Sequence, residues 1–303
     1  MKSKVFFVVS LFVLIITNAL ASVQNSIPRP DGELINYYLK KSKNDSFSDT
    51  LLVLIQGSQC ESVFYNKNFN NYFSKVIPTA DILTVEKYGI DSTFKKSSTL
   101  PHKYLLYDSP KQRVKDYIQI INKLREDNKY RKIVLLGGSE GAVVANIISS
   151  KLKFINFTVS INGGGRWFID DVLHSMKSEI PSEKAYLKAS NGFKCFSQKI
   201  LNGTPFELNM SGHGYKWWKS MLETDQFIVL SKVTSPVLIV QSEKDENVSP
   251  QLVTKLINLL NKNGKSNIEF LSLNGIDHFF KDSNGDTQLD YLIKSIKRWL
   301  SSP

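Results

Sequence analysis

Cysteine and histidine are scarce in this 303-residue chain, with two of the first and four of the second. Two cysteines exclude a disulfide-dense scaffold. The histidines show no metal-ligand spacing, which argues against a zinc site. Glycine and proline are few and follow no period, so the chain is not collagen-like. A hydrophobic share of 42% excludes a disordered polymer. Acidic residues are outnumbered, 28 against 39 basic ones, for a formal charge of +11. That surplus favours weak adhesion to anionic surfaces. Its charges are scattered and no nucleic-acid-binding motif accompanies them, so nucleic acid is not an expected partner. Beyond the first 21 residues no run is long and apolar enough to span a bilayer.

What is present begins with a targeting pattern. Lys2 and Lys4 precede an apolar run from Val5 to Ile16, and Ala19-Leu20-Ala21 follows. A short basic region, an apolar core and an Ala-x-Ala site are the order of a secretory signal peptide. Residues 1–21 are therefore expected to be removed, leaving an exported chain from Ser22, periplasmic or secreted, with no stable membrane insertion. Loss of the two lysines takes the charge from +11 to +9. Cys60 and Cys195 could pair in an oxidising compartment, a bridge worth about 4–5 kcal/mol in the chain-entropy model. Two independent thiols are the other reading. Asn-x-Ser/Thr sequons at Asn44, Asn156, Asn202, Asn209 and Asn247 matter only in a eukaryotic host.

Six short apolar runs punctuate the rest. They are Leu51–Ile55, Asp81–Val85, Lys132–Leu136, Phe157–Ile161, Pro236–Val240 and Ile268–Ser272. Lacking polar alternation, they suit strands buried on both faces, hence a largely parallel sheet. Helical periodicity fills Gln112–Asn128, Ala142–Leu152, Gln251–Leu260 and Leu289–Leu300. Strands alternating with helices predict an α/β doubly wound fold with helices on both faces. Residues 22–50 are expected to carry a hairpin, with Leu34–Leu39 as its best strand. Residues 166–232 are too long for one crossover and read as a helical lid or cap inserted between core segments 22–165 and 233–303.

The chemistry concentrates at strand ends. Gly137-Gly138-Ser139-Glu140-Gly141 falls where the third run meets a helix, and Gly-x-Ser-x-Gly in that setting is a nucleophile elbow. The sharp turn strains Ser139 and aims its hydroxyl out of the sheet, and the flanking Gly137 and Gly141 must be small. The helix N-terminus behind it favours developing negative charge. Asp245 lies past the fifth run and His278 past the sixth. Nucleophile, acid and base thus occur in the order Ser139, Asp245, His278.

On these motifs the chain resembles the α/β-hydrolase superfamily over nearly all of residues 30–300. The dienelactone-hydrolase-like, acyl-thioesterase-like and prolyl-oligopeptidase-like branches are the most similar. The resemblance implies that Ser139 is the nucleophile, His278 the general base and then acid, and Asp245 its partner. It also implies an oxyanion site from the backbone N–H of Glu140 and from the turn Gln56-Gly57-Ser58, with Ser58 the first choice. Gln56 stands where the family often has His. Serine at the nucleophile argues against dienelactone hydrolase proper, which uses cysteine, and excludes the aspartate mechanism of haloalkane dehalogenases and epoxide hydrolases.

Neighbouring Glu243, Glu246 and Asp277 read as solvated carboxylates. His102, His174 and His213 lack catalytic context and read as surface or structural groups. Tyr215, Trp217 and Trp218 read as the core of the insertion. Asp282 opens a calcium-loop-like stretch, but Thr287 holds its sixth position and Ile293 its twelfth, which excludes an EF-hand. The expectation is an exported serine hydrolase that cleaves an ester, thioester or amide of a small or acyl substrate, without metal or organic cofactor. An acyltransferase would use the same site with an alcohol in place of water. A binding protein on this fold would normally have lost a triad member.

Overall fold

A computed structural model of the chain describes residues 23–42, 48–95, 99–128 and 130–302. The expected signal peptide and the sequon at Asn44 lie outside them.

The chain enters as a hairpin of β1 (Val23–Pro28) and β2 (Leu34–Lys40), followed by β3 (Thr50–Ile55), the short helix α1 (Lys67–Asn71) and β4 (Asp81–Val85). Helices α2 (His102–Tyr107) and α3 (Pro110–Asn128) lead back to β5 (Lys132–Gly138), α4 (Glu140–Lys151) and β6 (Phe157–Ile161). Four helices then intervene: α5 (Phe168–Glu179), α6 (Glu183–Asn202), α7 (Tyr215–Glu223) and α8 (Gln226–Ser231). The chain ends with β7 (Val237–Ser242), α9 (Pro250–Lys262), β8 (Ile268–Leu273) and α10 (Leu289–Ser301).

The strands form one sheet in the order β1-β2-β4-β3-β5-β6-β7-β8. Pairing is antiparallel at β1/β2 and β2/β4 and parallel from β4 to β8. Alternation along β3 shows why its sequence is apolar throughout. Leu52 and Leu54 face a core that includes α10 through Leu292 and Ile296. Leu51, Val53 and Ile55 face the core built by α3 and α4 through Tyr117, Ile121 and Ile148. Both faces are covered, so no position of the strand can be polar. The outer strand β8 is freer, with Glu269, Phe270 and Ser272 exposed.

After β3 the chain builds β4 on one side, then returns to build β5 on the other. The C-terminal ends of β3 and β5 therefore flank the point where strand order reverses, the place where an open α/β sheet leaves a crevice.

The insertion has its own core. Phe193, Tyr215, Trp217, Trp218 and Met221 pack together and against Val143 of α4. The two cysteines are not bridged. Cys195 is exposed on α6, Cys60 is half-buried in the turn after β3, and both are free thiols. Of the two readings an even count allowed, the structure shows the two independent thiols.

Candidate active site

Ser139 joins β5 to α4 with φ 53° and ψ −125°. A side chain other than glycine seldom adopts such a backbone, and here the surroundings enforce it. A Cβ on Gly137 would strike the carbonyl of Gly141, and one on Gly141 would strike the carbonyl of Ile55 at the end of β3. The two glycines are thus required for different reasons. The first lets the elbow close on itself, and the second lets α4 approach the sheet. The Ser139 N–H donates to Ile161 O at 2.8 Å, pinning the elbow to the end of β6.

Asp245 sits in the loop after β7, 3% exposed. Its Oδ1 accepts the N–H groups of Asn247 and Val248, both at 2.9 Å. Its Oδ2 accepts from Gln241 Nε2 at 3.2 Å and lies 2.7 Å from His278 Nδ1. The loop after β8 that carries His278 is tied in turn to the elbow side. Asn162, at the end of β6 with φ 48°, donates through Nδ2 to the His278 carbonyl at 3.3 Å and accepts the Ser242 N–H at 2.9 Å. With a carboxylate on Nδ1, the imidazole presents Nε2 as a proton acceptor. Among the described residues the Ser139 hydroxyl makes no hydrogen bond. In a free enzyme such contacts often tighten only on substrate.

Gly57 packs against the elbow: a Cβ there would lie 3.3 Å from Gly138 O and 3.4 Å from Ser139 Cβ. Neither the Ser58 N–H nor the Glu140 N–H donates to another group among the described residues. Both amides are thus without a partner among the described residues, Glu140 directly after Ser139 and Ser58 directly after the Gly57 that packs on the elbow.

A cavity of about 40 Å³ opens next to Ser139, walled by Val143, Phe168, Met221 and Val248 and edged by Asp171 and Gln226. Burial pushes the Asp171 carboxyl up to about 6, although it accepts N–H bonds from Ser249 and Gly165. These two bonds bridge the loop after β6 to the start of α9.

Sequence reasoning missed the charges beneath the elbow. The Glu140 side chain is buried and takes Arg113 Nη1 on Oε1 at 2.5 Å and Trp217 Nε1 on Oε2 at 2.8 Å. Lys87, 1% exposed, holds its Nζ 3.8 Å from Oε2. Burial would raise the Glu140 carboxyl, but Lys87 and Arg113 overcome it and hold the group down at about 2. His213 is buried rather than superficial, stacked on Trp217 with centroids 3.7 Å apart. His174 places Nε2 3.1 Å from the Asp245 carbonyl, whereas His102 stays at the surface. Glu243, Glu246 and Asp277 make no side-chain hydrogen bond or ion pair with His278 among the described residues. Glu243 and Glu246 are exposed, and Asp277 accepts N–H groups of its own loop.

A doubly wound sheet with a strained serine at its switch point and a carboxylate-held imidazole at the same edge defines the class of α/β serine hydrolases, of esterase type. Within that class the chain belongs to the BAAT / acyl-CoA thioester hydrolase C-terminal family, whose pattern matches residues 117–282. That stretch runs from α3 past His278. Solved structures share the fold. Est1E from Butyrivibrio proteoclasticus is 14% identical, with 92% of this chain and 98% of that one covered at a TM-score of 0.61. An esterase from Pyrococcus furiosus is 15% identical, covering 93% and 91% at 0.62. An α/β serine hydrolase homologue from Coxiella burnetii is 16% identical, covering 92% and 97% at 0.56. No curated protein matches the chain by sequence.

Proposed function

We propose that the protein hydrolyses carboxylic esters or thioesters of short acyl groups through an acyl-enzyme on Ser139. The observation that carries this reading is the 2.7 Å contact of Asp245 with His278 on the sheet edge that also holds Ser139. Ser139 Oγ attacks the carbonyl carbon while His278 Nε2 takes its proton. Asp245 keeps the imidazole in the required tautomer and stabilises the imidazolium. The oxyanion forms against the N–H groups of Glu140 and Ser58, at the positive end of α4. Collapse breaks the bond to the alcohol or thiol, which leaves with the proton from His278. Water, deprotonated by the same ring, then releases the acid and restores Ser139. The family's thioester name and the esterases among its structural neighbours support this chemistry. The small cavity supports a short acyl half. The N-terminal pattern supports action after export.

A fluorophosphonate probe on the folded protein tests the reading. Labelling of the wild type that disappears in Ser139→Ala, together with loss of ester turnover, is expected. A folded wild type that neither labels nor turns over esters overturns it in favour of a binding protein. Export is checked separately by sequencing the N-terminus of the chain recovered outside the cytoplasm. Ser22 is expected there, and Met1 would contradict it.

A further inference from the structure

The reaction just described uses the amide of Glu140 and leaves its side chain unexplained. A buried carboxylate one residue from the nucleophile is costly unless it is paired. It is paired with groups from three separate parts of the fold: Arg113 of α3, Trp217 of α7 and Lys87 of the loop after β4.

Arg113 does more than neutralise Glu140. Its Nη1 donates to Glu140 Oε1 at 2.5 Å, and its Nη2 donates to the carbonyl of Gln56 at 2.7 Å. Gln56 opens the turn that contains Ser58, and Glu140 follows Ser139. The two arms of one planar group therefore hold the two segments that carry the free amides. The fork of a guanidinium is rigid, so fixing both arms fixes the spacing of what they hold. The Glu140 carboxylate carries the arrangement onward, since its other oxygen is held by Trp217 in the insertion.

We propose that Arg113 is a positioning residue which sets the separation of the Ser58 and Glu140 N–H donors, by clamping the Gln56 carbonyl and the Glu140 carboxylate together. The proposal rests on the serine-hydrolase reading above. Lysine cannot replace arginine here, because a single ammonium on a flexible stem does not present two diverging donors in a fixed plane. Deleting an oxyanion donor outright costs about 10²–10³ in kcat, and a displaced donor costs part of that.

Two variants test it. Arg113→Lys keeps the charge and loses the fork. The double variant Arg113→Met with Glu140→Gln removes both charges of the clamp together, and the buried Lys87 that also faced Glu140 then keeps Asp108 as its neighbouring carboxylate. Each is checked for folding by urea denaturation and for an activated serine by fluorophosphonate labelling. Turnover of 4-nitrophenyl acetate and inhibition by a trifluoromethyl ketone, which adds to serine as an oxyanion, are then measured. The folded variants are expected to lose about 10- to 100-fold in kcat, with KM changed less than about threefold. Their affinity for the trifluoromethyl ketone should fall in parallel, whereas affinity for the plain methyl ketone should hold. Wild-type kcat in both folded variants would overturn the clamp, as would a lower kcat with undiminished trifluoromethyl ketone affinity. Absence of labelling and turnover in the wild type is a different result, and it counts against the hydrolase reading itself.

Discussion

His213 shows how a single side chain can record its burial in a measurable curve. Its ring stacks on Trp217, and Tyr104 Oη lies 3.2 Å from Nδ1. Burial lowers its pKa to about 4, with Lys87 and Arg113 adding to the effect and Glu140 opposing it. The folded protein therefore prefers the neutral ring. The stability tied to that preference is complete above about pH 6.5 and is lost as pH falls toward about 4. At pH 5 the loss attributable to this residue is about 2 kcal/mol. Asp108 and Asp171 run the other way, since burial raises both to about 6 and the folded state gains protons first as pH falls. The whole-protein curve thus mixes signs, and His213→Phe, which preserves the stack, isolates one contribution. Between pH 7.5 and 5 the wild type should lose about 2 kcal/mol of urea stability relative to this variant. Parallel curves would mean that the ring is not held neutral. Little of this was legible in the sequence. A histidine in Ser-Gly-His-Gly looks like a turn residue, and Lys87 and Arg113 look like solvated charges, because what buries them comes from elements remote in the chain.

Among elements, the elbow and the insertion helices respond oppositely to the same substitution. Gly141 lies where α4 begins, and an added methyl would drive into the Ile55 and Gln56 carbonyls, which β3 cannot move aside. Gly192 lies inside α6, exposed, with nothing near its missing Cβ. Gly141→Ala should lower unfolding stability by about 1–3 kcal/mol or more and abolish labelling of Ser139. Gly192→Ala should raise stability by about 0.5–1 kcal/mol through helix propensity and leave labelling unchanged. Equal effects in urea titrations would contradict this account of the elbow. The elements themselves were readable where periodicity was long. The six apolar runs became β3 to β8, although the edge strand β8 is not buried on both faces as expected, and the four periodic stretches became α3, α4, α9 and α10, within a few residues. Short helices such as α1 and α2 have too few residues to show a period, so they emerged only in the fold. The order of Ser139, Asp245 and His278 was readable because each follows an apolar run. Asn162 and Asp171, which fasten the loops between them, follow no motif.

For the molecule as a whole, the question is whether the insertion stays seated while substrate binds. Its core is separate, but its attachments are several. Trp217 bonds Glu140, His174 contacts the Asp245 carbonyl, Ser220 Oγ accepts the Lys111 N–H, and Asp171 binds the Ser249 N–H. Three of these four reach loops or helix starts beside Ser139 or Asp245, so lifting the insertion would disturb the cavity it helps to line. With the insertion seated, the cavity of about 40 Å³ beside Ser139 has room for about three water-sized groups. On the proposed function, this limited space is matched by a short acyl group. In a series of 4-nitrophenyl esters, kcat/KM should therefore peak between acetate and butyrate and fall at least about tenfold by octanoate. Met221 forms part of the cavity wall, so Met221→Ala should move the optimum toward longer chains, at a stability cost of about 2–5 kcal/mol. A wild type that prefers octanoate would show that the four attachments give way together on binding. The acyl pocket would then be made by movement of α5 to α7 rather than by the cavity of the free protein.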